Sequence, residues 1–171
     1  MTDPIVISYY NAPVGRLLLA AQEDALTGLW MEGQKYYPHD LARTGMQDDT
    51  HTTLLRAKDW LARYFAGEQP DISDLKMAPA GTEFQKQVWR ILCRIPYGQV
   101  ITYGAIAKEL AAKKGLASMS AQAIGGAVGR NPISILIPCH RVVGADGSLT
   151  GYAGGMERKQ YLLTLESKEH P

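Results

Sequence analysis

The apolar residues of this chain change their period partway along it, and that change limits the fold more than any other feature. Up to Met31 they fall in short β-rich runs, Ile5 to Tyr10, Arg16 to Ala21 and Leu26 to Met31, separated by Asn11-Ala12-Pro13-Val14-Gly15 and by Gln22-Glu23-Asp24. Runs punctuated in this way describe an antiparallel meander. Further on the spacing is helical: Leu54, Leu55, Lys58, Leu61, Ala62 and Phe65 recur near a period of 3.6, Trp60 and Tyr64 widen the stripe, and Gly67 supplies a stop. Between 67 and 81 there is little periodicity, and Gly67, Pro70, Pro79 and Gly81 mark a domain boundary. The expected class is α+β. A small N-terminal α/β domain with an antiparallel sheet occupies 1–80 as a support, and a mainly helical domain occupies 81–171.

The second domain opens on a capping box, Thr82 with Gln85 three places on, followed by a buried helical face of Phe84, Val88, Ile91, Leu92 and Ile95. Cys93 falls inside that run and reads as core. Pro96-Tyr97-Gly98 ends the helix. A short strand, Val100 to Thr102, leads into a helix from about Tyr103 to Ala112, and Ser120 caps another that runs to about Gly129. Two helices joined by a brief turn describe a helix-turn-helix. The last of them carries almost no side-chain bulk: Ser120, Ala121, Ala123, Gly125, Gly126 and Ala127. Small residues let helices pack closely, and they also make a helix thin enough for a groove about 6 Å wide, such as the DNA minor groove. From the residues alone both explanations stand.

The net charge of +1 conceals an asymmetry: residues 1–84 hold 7 Lys and Arg against 12 Asp and Glu, and residues 85–171 hold 11 against 5. The positive half has the field a nucleic-acid binder needs, although ordinary variation between two halves accounts for it equally well. No apolar run approaches membrane-spanning length, and Met1-Thr2-Asp3-Pro4 lacks the basic and apolar regions of a secretion signal, so a cytoplasmic protein is expected. Two cysteines, Cys93 and Cys139, offer neither a disulfide framework nor a zinc spacing, and His39 and His51 stand without cysteine partners. No metal and no cofactor are expected.

Ile137-Pro138-Cys139-His140-Arg141-Val142-Val143 sets a cysteine between a rigid residue and a base. A reactive thiol needs its pKa drawn down from about 8.5, and an adjacent imidazole can do that. A buried thiol beside a polar histidine is the plain alternative, and this pattern alone is too short to decide. Its surroundings add weight. Asn131-Pro132 lies upstream, Gly151-Tyr152-Ala153-Gly154-Gly155 downstream, and Glu166 sits in a terminal amphipathic segment. With Gly81-Thr82-Glu83-Phe84-Gln85 and Val88-Trp89, this chain resembles the O6-alkylguanine-DNA alkyltransferase family closely over 81–166 and in outline before that.

The resemblance implies direct DNA repair: irreversible, one-time transfer of the alkyl group of O6-methylguanine, and less well of O4-methylthymine, to Cys139. Double-stranded DNA containing the lesion would be the partner, with no membrane and no obligate protein partner. Glu166 would orient His140, which through a water would take the Cys139 proton. Tyr103 would hydrogen-bond guanine N3. Asn131 would brace the turn between the thin helix and an active-site strand, and Lys159 would polarise the leaving base or support Tyr103. Val142, Tyr152, Ala153 and Gly154 would line the base pocket, Ala153 standing where many relatives carry serine. Ser120, Ala121, Gln122, Ala123, Gly125 and Arg130 would meet DNA, Gln122 taking the position usually held by an intruding arginine. Two other readings are open: a lesion-sensing module that flips the base without reacting, against which Cys139 itself argues, and a cysteine hydrolase using Cys139 and His140.

Overall fold

The computed structural model describes residues 3–149 and 151–167; the expectation drawn from Met1 and Thr2 therefore lies outside the described residues. The chain divides into two compact units, Met1–Ala80 with Pro132–Ser134, and Gly81–Asn131 with Ile135–Pro171.

The first unit is built on β1 (Val6–Ala12), β2 (Gly15–Gln22) and β3 (Ala25–Met31), paired antiparallel as a meander. A short helix α1 (His39–Thr44) leads to β4 (Met46–Gln47), which pairs parallel with β1, so the order is β3-β2-β1-β4. Nothing in the sequence marks β4, because a two-residue strand has no period of its own. Leu17 to Ala21 of β2 are all buried, since both faces of the central strand are covered. On one face Ile7, Leu18 and Ala20 pack with Tyr9, Trp30, Tyr37, Leu41 and Ala42. The other lies against α2 (Thr52–Phe65). The edge of β3 is closed by two returning segments: Leu26 bonds to Lys76 and Ala78, and Leu29 to Pro132 and Ser134. An edge so covered cannot recruit a further strand.

The buried stripe of α2 is rotated from the one the sequence suggests. Thr53, Leu54, Ala57, Trp60, Leu61 and Tyr64 are buried, whereas Leu55 is 48% exposed, Ala62 is exposed and Phe65 is half-buried. The large rings Trp60 and Tyr64 take the centre of the stripe, stacked at 5.3 Å, and turn Leu55 and Ala62 outward. Lys58 reaches a polar partner instead of the core, its Nζ donating to Ser8 Oγ at 2.6 Å while Ser8 donates to Asp49.

The second unit opens with α3 (Glu83–Leu92), capped as expected: Thr82 Oγ1 accepts from Gln85 N and Gln85 Oε1 from Thr82 N. Phe84 is only half-buried, and Trp89 fills the space instead, its Nε1 donating to Ala127 O at 2.9 Å. Cys93 is the half-buried C-cap of this helix, at its end where side chains face partly outward, and is not in its core. The strand β5 is Ile101–Thr102, without the exposed Val100, and Thr102 also caps α4 (Tyr103–Lys113). Helix α5 (Ala121–Gly129) begins on Ser120, whose Oγ accepts from the amides of Gln122 and Ala123. Helices α3, α4 and α5 pack together. After Ile135 come a 3-10 turn, Cys139–Arg141, then β6 (Val142–Val143), and the last described element is α6 (Met156–Ser167). Cys139 is thus on a tight turn and not on the expected strand; the preceding Pro138 has no amide hydrogen to offer a ladder.

Candidate active site

Three local features bring the candidate side chains together. The first is the parallel pairing of β5 with β6, Ile101 with Val142 and Thr102 with Val143. It joins the start of α4, where Tyr103 stands, to the residues that follow Cys139. The second is α6, on which Lys159, Leu162 and Glu166 form one buried stripe, at positions i, i+3 and i+7. The third is Ile135, a buried β-branched residue held at φ 72° at the entry to the run before Cys139. Such a residue in the left-handed region costs about 1–3 kcal/mol and persists only where its surroundings impose it.

Cys139 is buried. Burial pushes its thiol up; a hydrogen bond from the Asn131 side chain and the charge of Lys159 pull it down. Asn131 is buried too, and its Nδ2 donates to Ile137 O at 2.8 Å, which fixes the run leading to the thiol. Lys159 has no exposed surface and donates from Nζ to Val142 O at 2.5 Å. Burial lowers its pKa, and a thiolate at Cys139 would raise it.

His140 is fully buried, with Nε2 at 2.7 Å from Glu166 Oε2. Burial holds the imidazole below its ordinary value against the pull of Glu166. Burial acting alone would raise the Glu166 carboxyl, but its hydrogen bonds from His140 and Arg141 and the charge of Arg141 bring it far below the usual carboxylate range. An ionised carboxylate only accepts, so Nε2 carries the hydrogen and Nδ1 keeps a lone pair. That Nδ1 is buried and has no hydrogen-bond partner among the described residues. Burial thus favours a neutral imidazole at His140 and an un-ionised thiol at Cys139.

Tyr103 is half-buried between two glycines: a Cβ on Gly125 of α5 would lie 3.9 Å from its ring, and one on Gly151 would lie 3.0 Å from its hydroxyl. Burial and the charge of Cys139 both push its phenol up, so it stays a donor. Tyr152 is raised well above its ordinary value by burial, then by Cys139. Lys159 Nζ stands 6.0 Å from the Tyr152 ring centroid. Ala153 and Gly154 are half-buried in the turn closed by Gly155 N on Tyr152 O, and Val142 is buried. The predicted DNA-facing residues are carried by α5 and its two caps. Ala121, Gln122, Ala123 and Arg130 are exposed, Gly125 is half-buried and Ser120 is the cap. Gln122, Gly126, Gly129 and Arg130 follow i, i+4, i+7, i+8 spacing, one stripe with only glycines between its two long side chains. A Cβ on Gly126 or Gly129 would meet nothing within 4 Å, so packing does not demand glycine at either.

One buried charged residue of the site had not been singled out from the sequence. Arg141 bonds Glu166 through Nε at 2.8 Å and Nη2 at 3.0 Å, and Ile95 O through Nη1 at 2.7 Å. Its signal was a cation inside the apolar run from Ile133 to Val143. Among the described residues no group of His, Cys, Asp and Glu is arranged to hold a metal ion.

A buried cysteine beside a histidine–glutamate pair, carried in the same unit as a helix-turn-helix, points to a thiol-bearing protein of the nucleic-acid-binding class. The comparisons make that class particular. The family model described as 6-O-methylguanine DNA methyltransferase, DNA binding domain, matches residues 83–168, and that family's ribonuclease-like domain matches 5–79. The methylated-DNA–protein-cysteine methyltransferase of Mycolicibacterium paratuberculosis is 44% identical over 161 residues, covering 94% of this chain and 92% of the relative. That of Haemophilus influenzae is 40% identical over 159 residues, covering 93% and 84%. The crystal structure of Mycobacterium tuberculosis OGT in complex with DNA matches with a TM-score of 0.83 at 40% identity, covering 97% of this chain and 95% of that one. The chain belongs to the methylated-DNA–protein-cysteine methyltransferase family, a family of DNA-repair alkyltransferases.

Proposed function

We propose that this protein repairs O6-methylguanine in duplex DNA, and O4-methylthymine less well, by moving the alkyl group to Cys139 once and irreversibly. The observation that carries the reading is the buried His140–Glu166 pair beside the buried Cys139, in which the carboxylate fixes Nε2–H and leaves Nδ1 free to act as the base. A proton passes from Cys139 Sγ, through a bridging water, to His140 Nδ1. The thiolate then attacks the alkyl carbon; an S–C bond forms as the C–O6 bond breaks, the electron pair moves into the guanine ring, and N1 of that ring takes a proton from water while His140 returns its own to water, leaving neutral guanine. Tyr103 donates a hydrogen bond to N3 of that ring as charge develops, an electrostatic contribution of the oxyanion-hole kind. The positive charge of Lys159 and the amide of Asn131 stabilise the thiolate before attack. A thioether offers no leaving group to a second nucleophile, so one molecule repairs one base.

The base reaches a buried thiol only outside the stack, and flipping costs a few kcal/mol, less for a weakened pair. The stripe on α5 supports minor-groove entry: Gln122 would fill the gap left by the base and Arg130 would contact phosphate, about 12 Å further along the axis. Tyr152, Ala153, Gly154 and Val142 would enclose the base. The test is intact and peptide mass spectrometry after equimolar mixing with duplex containing one O6-methylguanine, with Cys139→Ala as control. One methyl on the Cys139 peptide and restored guanine are expected. Lesion binding with unmodified protein would move the reading to a sensing module.

A further inference from the structure

Arg141 follows His140 in the same 3-10 turn and is buried with it. Its guanidinium fork takes both oxygens of Glu166, Oε1 from Nε at 2.8 Å and Oε2 from Nη2 at 3.0 Å. The third contact, Nη1 to Ile95 O at 2.7 Å, ties the fork to the segment after α3. His140 shares Oε2 with it. A buried carboxylate facing an imidazole alone draws a proton onto that imidazole, because an imidazolium matches its charge. With a guanidinium already matching it, no second cation is needed.

We propose that Arg141 is a positioning residue for alkyl transfer: by taking up the charge of Glu166 it keeps His140 neutral, with Nε2–H held on Oε2 and the Nδ1 lone pair left to receive the Cys139 proton. The proposal rests on the reading of Cys139 and His140 as nucleophile and base. The groups that face His140 are Glu166 and Lys159 from α6 and Cys139 and Arg141 from its own turn. Around these stand Cys93 at the end of α3, within reach of the Arg141 charge, Tyr103 from α4, and Tyr152 from the loop before α6. Glu166 favours the imidazolium, while burial, Arg141 and Lys159 oppose it. Without Arg141 the balance moves toward the imidazolium, which cannot accept the thiol proton.

The test is the pH dependence of the single-turnover rate of methyl transfer to Cys139 from duplex DNA in Arg141→Gln, which removes the charge and keeps a donor. The acid limb of the profile is expected to move up by about 1 pH unit, about a tenfold loss of rate on that limb. Arg141→Lys, which restores the charge, is expected to bring the limb back toward the wild-type position. A uniform loss at every pH, or a lowered melting temperature with the limb unmoved, overturns the proposal and leaves Arg141 a structural tie. If Arg141→Gln does not fold, imidazole nitrogen NMR of the wild type decides: a neutral ring with Nε2–H at about pH 6 is expected, and an imidazolium there overturns the proposal. If the wild type is never alkylated on Cys139, the repair reading falls and the proposal with it; if it is, only the proposal is at stake.

Discussion

Gly126 should oppose stability to function. It lies within α5, is exposed, does not have a positive φ, and a Cβ there would meet no atom within 4 Å. Folding alone therefore prefers alanine at this position, by about 0.5–1 kcal/mol. For a chain of this size that is about 1–4 °C in melting temperature. DNA sets the opposite requirement. The Cα cylinder of a helix has a radius near 2.3 Å, whereas a helix with side chains is about 10–12 Å across, and the minor groove is about 6 Å wide. A leucine at 126, four residues from Gln122 on the same stripe, restores the bulk that the glycines remove. Gly126→Ala should melt higher than the wild type by differential scanning fluorimetry. Gly126→Leu should remain folded and react normally with free O6-benzylguanine, yet repair duplex O6-methylguanine at least about tenfold more slowly, about 1.4 kcal/mol in the barrier. Wild-type duplex repair by Gly126→Leu would remove α5 from the DNA face. A lowered melting temperature in Gly126→Ala would mean that packing, not DNA, demands the glycine.

Lys159→Met removes the buried positive charge acting on Cys139. The thiol pKa should rise, and reaction with free O6-benzylguanine near neutral pH should slow by about tenfold; an unchanged pH profile for thiol alkylation would take Lys159 out of the chemistry. Acid should destabilise the fold in two stages. The folded His140 resists protonation while the unfolded imidazole accepts a proton near about pH 6.5, so stability declines from there downward. Glu166, depressed in the fold, contributes stability that is present above the unfolded value of about 4.3 and is lost as pH falls below it. Urea midpoints across pH 7.5 to 3.5 should resolve both stages, and Glu166→Gln should diminish the lower one.

What could be read from the sequence was what neighbours in the chain decide. Thr82 and Gln85 signal a helix start because both partners of the capping box lie within one turn, and Ser120 caps α5 for the same reason. The strands β1 to β3 are a meander whose turns sit between consecutive runs. The errors fall where distant residues decide. Leu55 and Leu54 are equivalent as hydrophobes, and only the sheet beneath α2, with Trp60 and Tyr64 competing for the same surface, chooses between them. For β4, the pairing partner is about 40 residues away.

At the active site the distinction is one of protonation as well as position. Cys139 and His140 are adjacent in the sequence, and so suggest a thiol and its base, but adjacency does not determine whether either is charged. That depends on Glu166 reaching Oε2 to His140, on Arg141 closing the other side of the same carboxylate, and on Lys159, a residue type usually solvated, being buried against Val142. Lys159 and Glu166 come from one helix two turns apart, so in the proposed reaction a single rigid element would deliver a cation that favours the thiolate and an anion that orients the base. Moving α6 by a residue would separate both from the turn at once. In the proposed reaction the same element therefore couples nucleophile and base, and a change in its packing should alter both ionisations together.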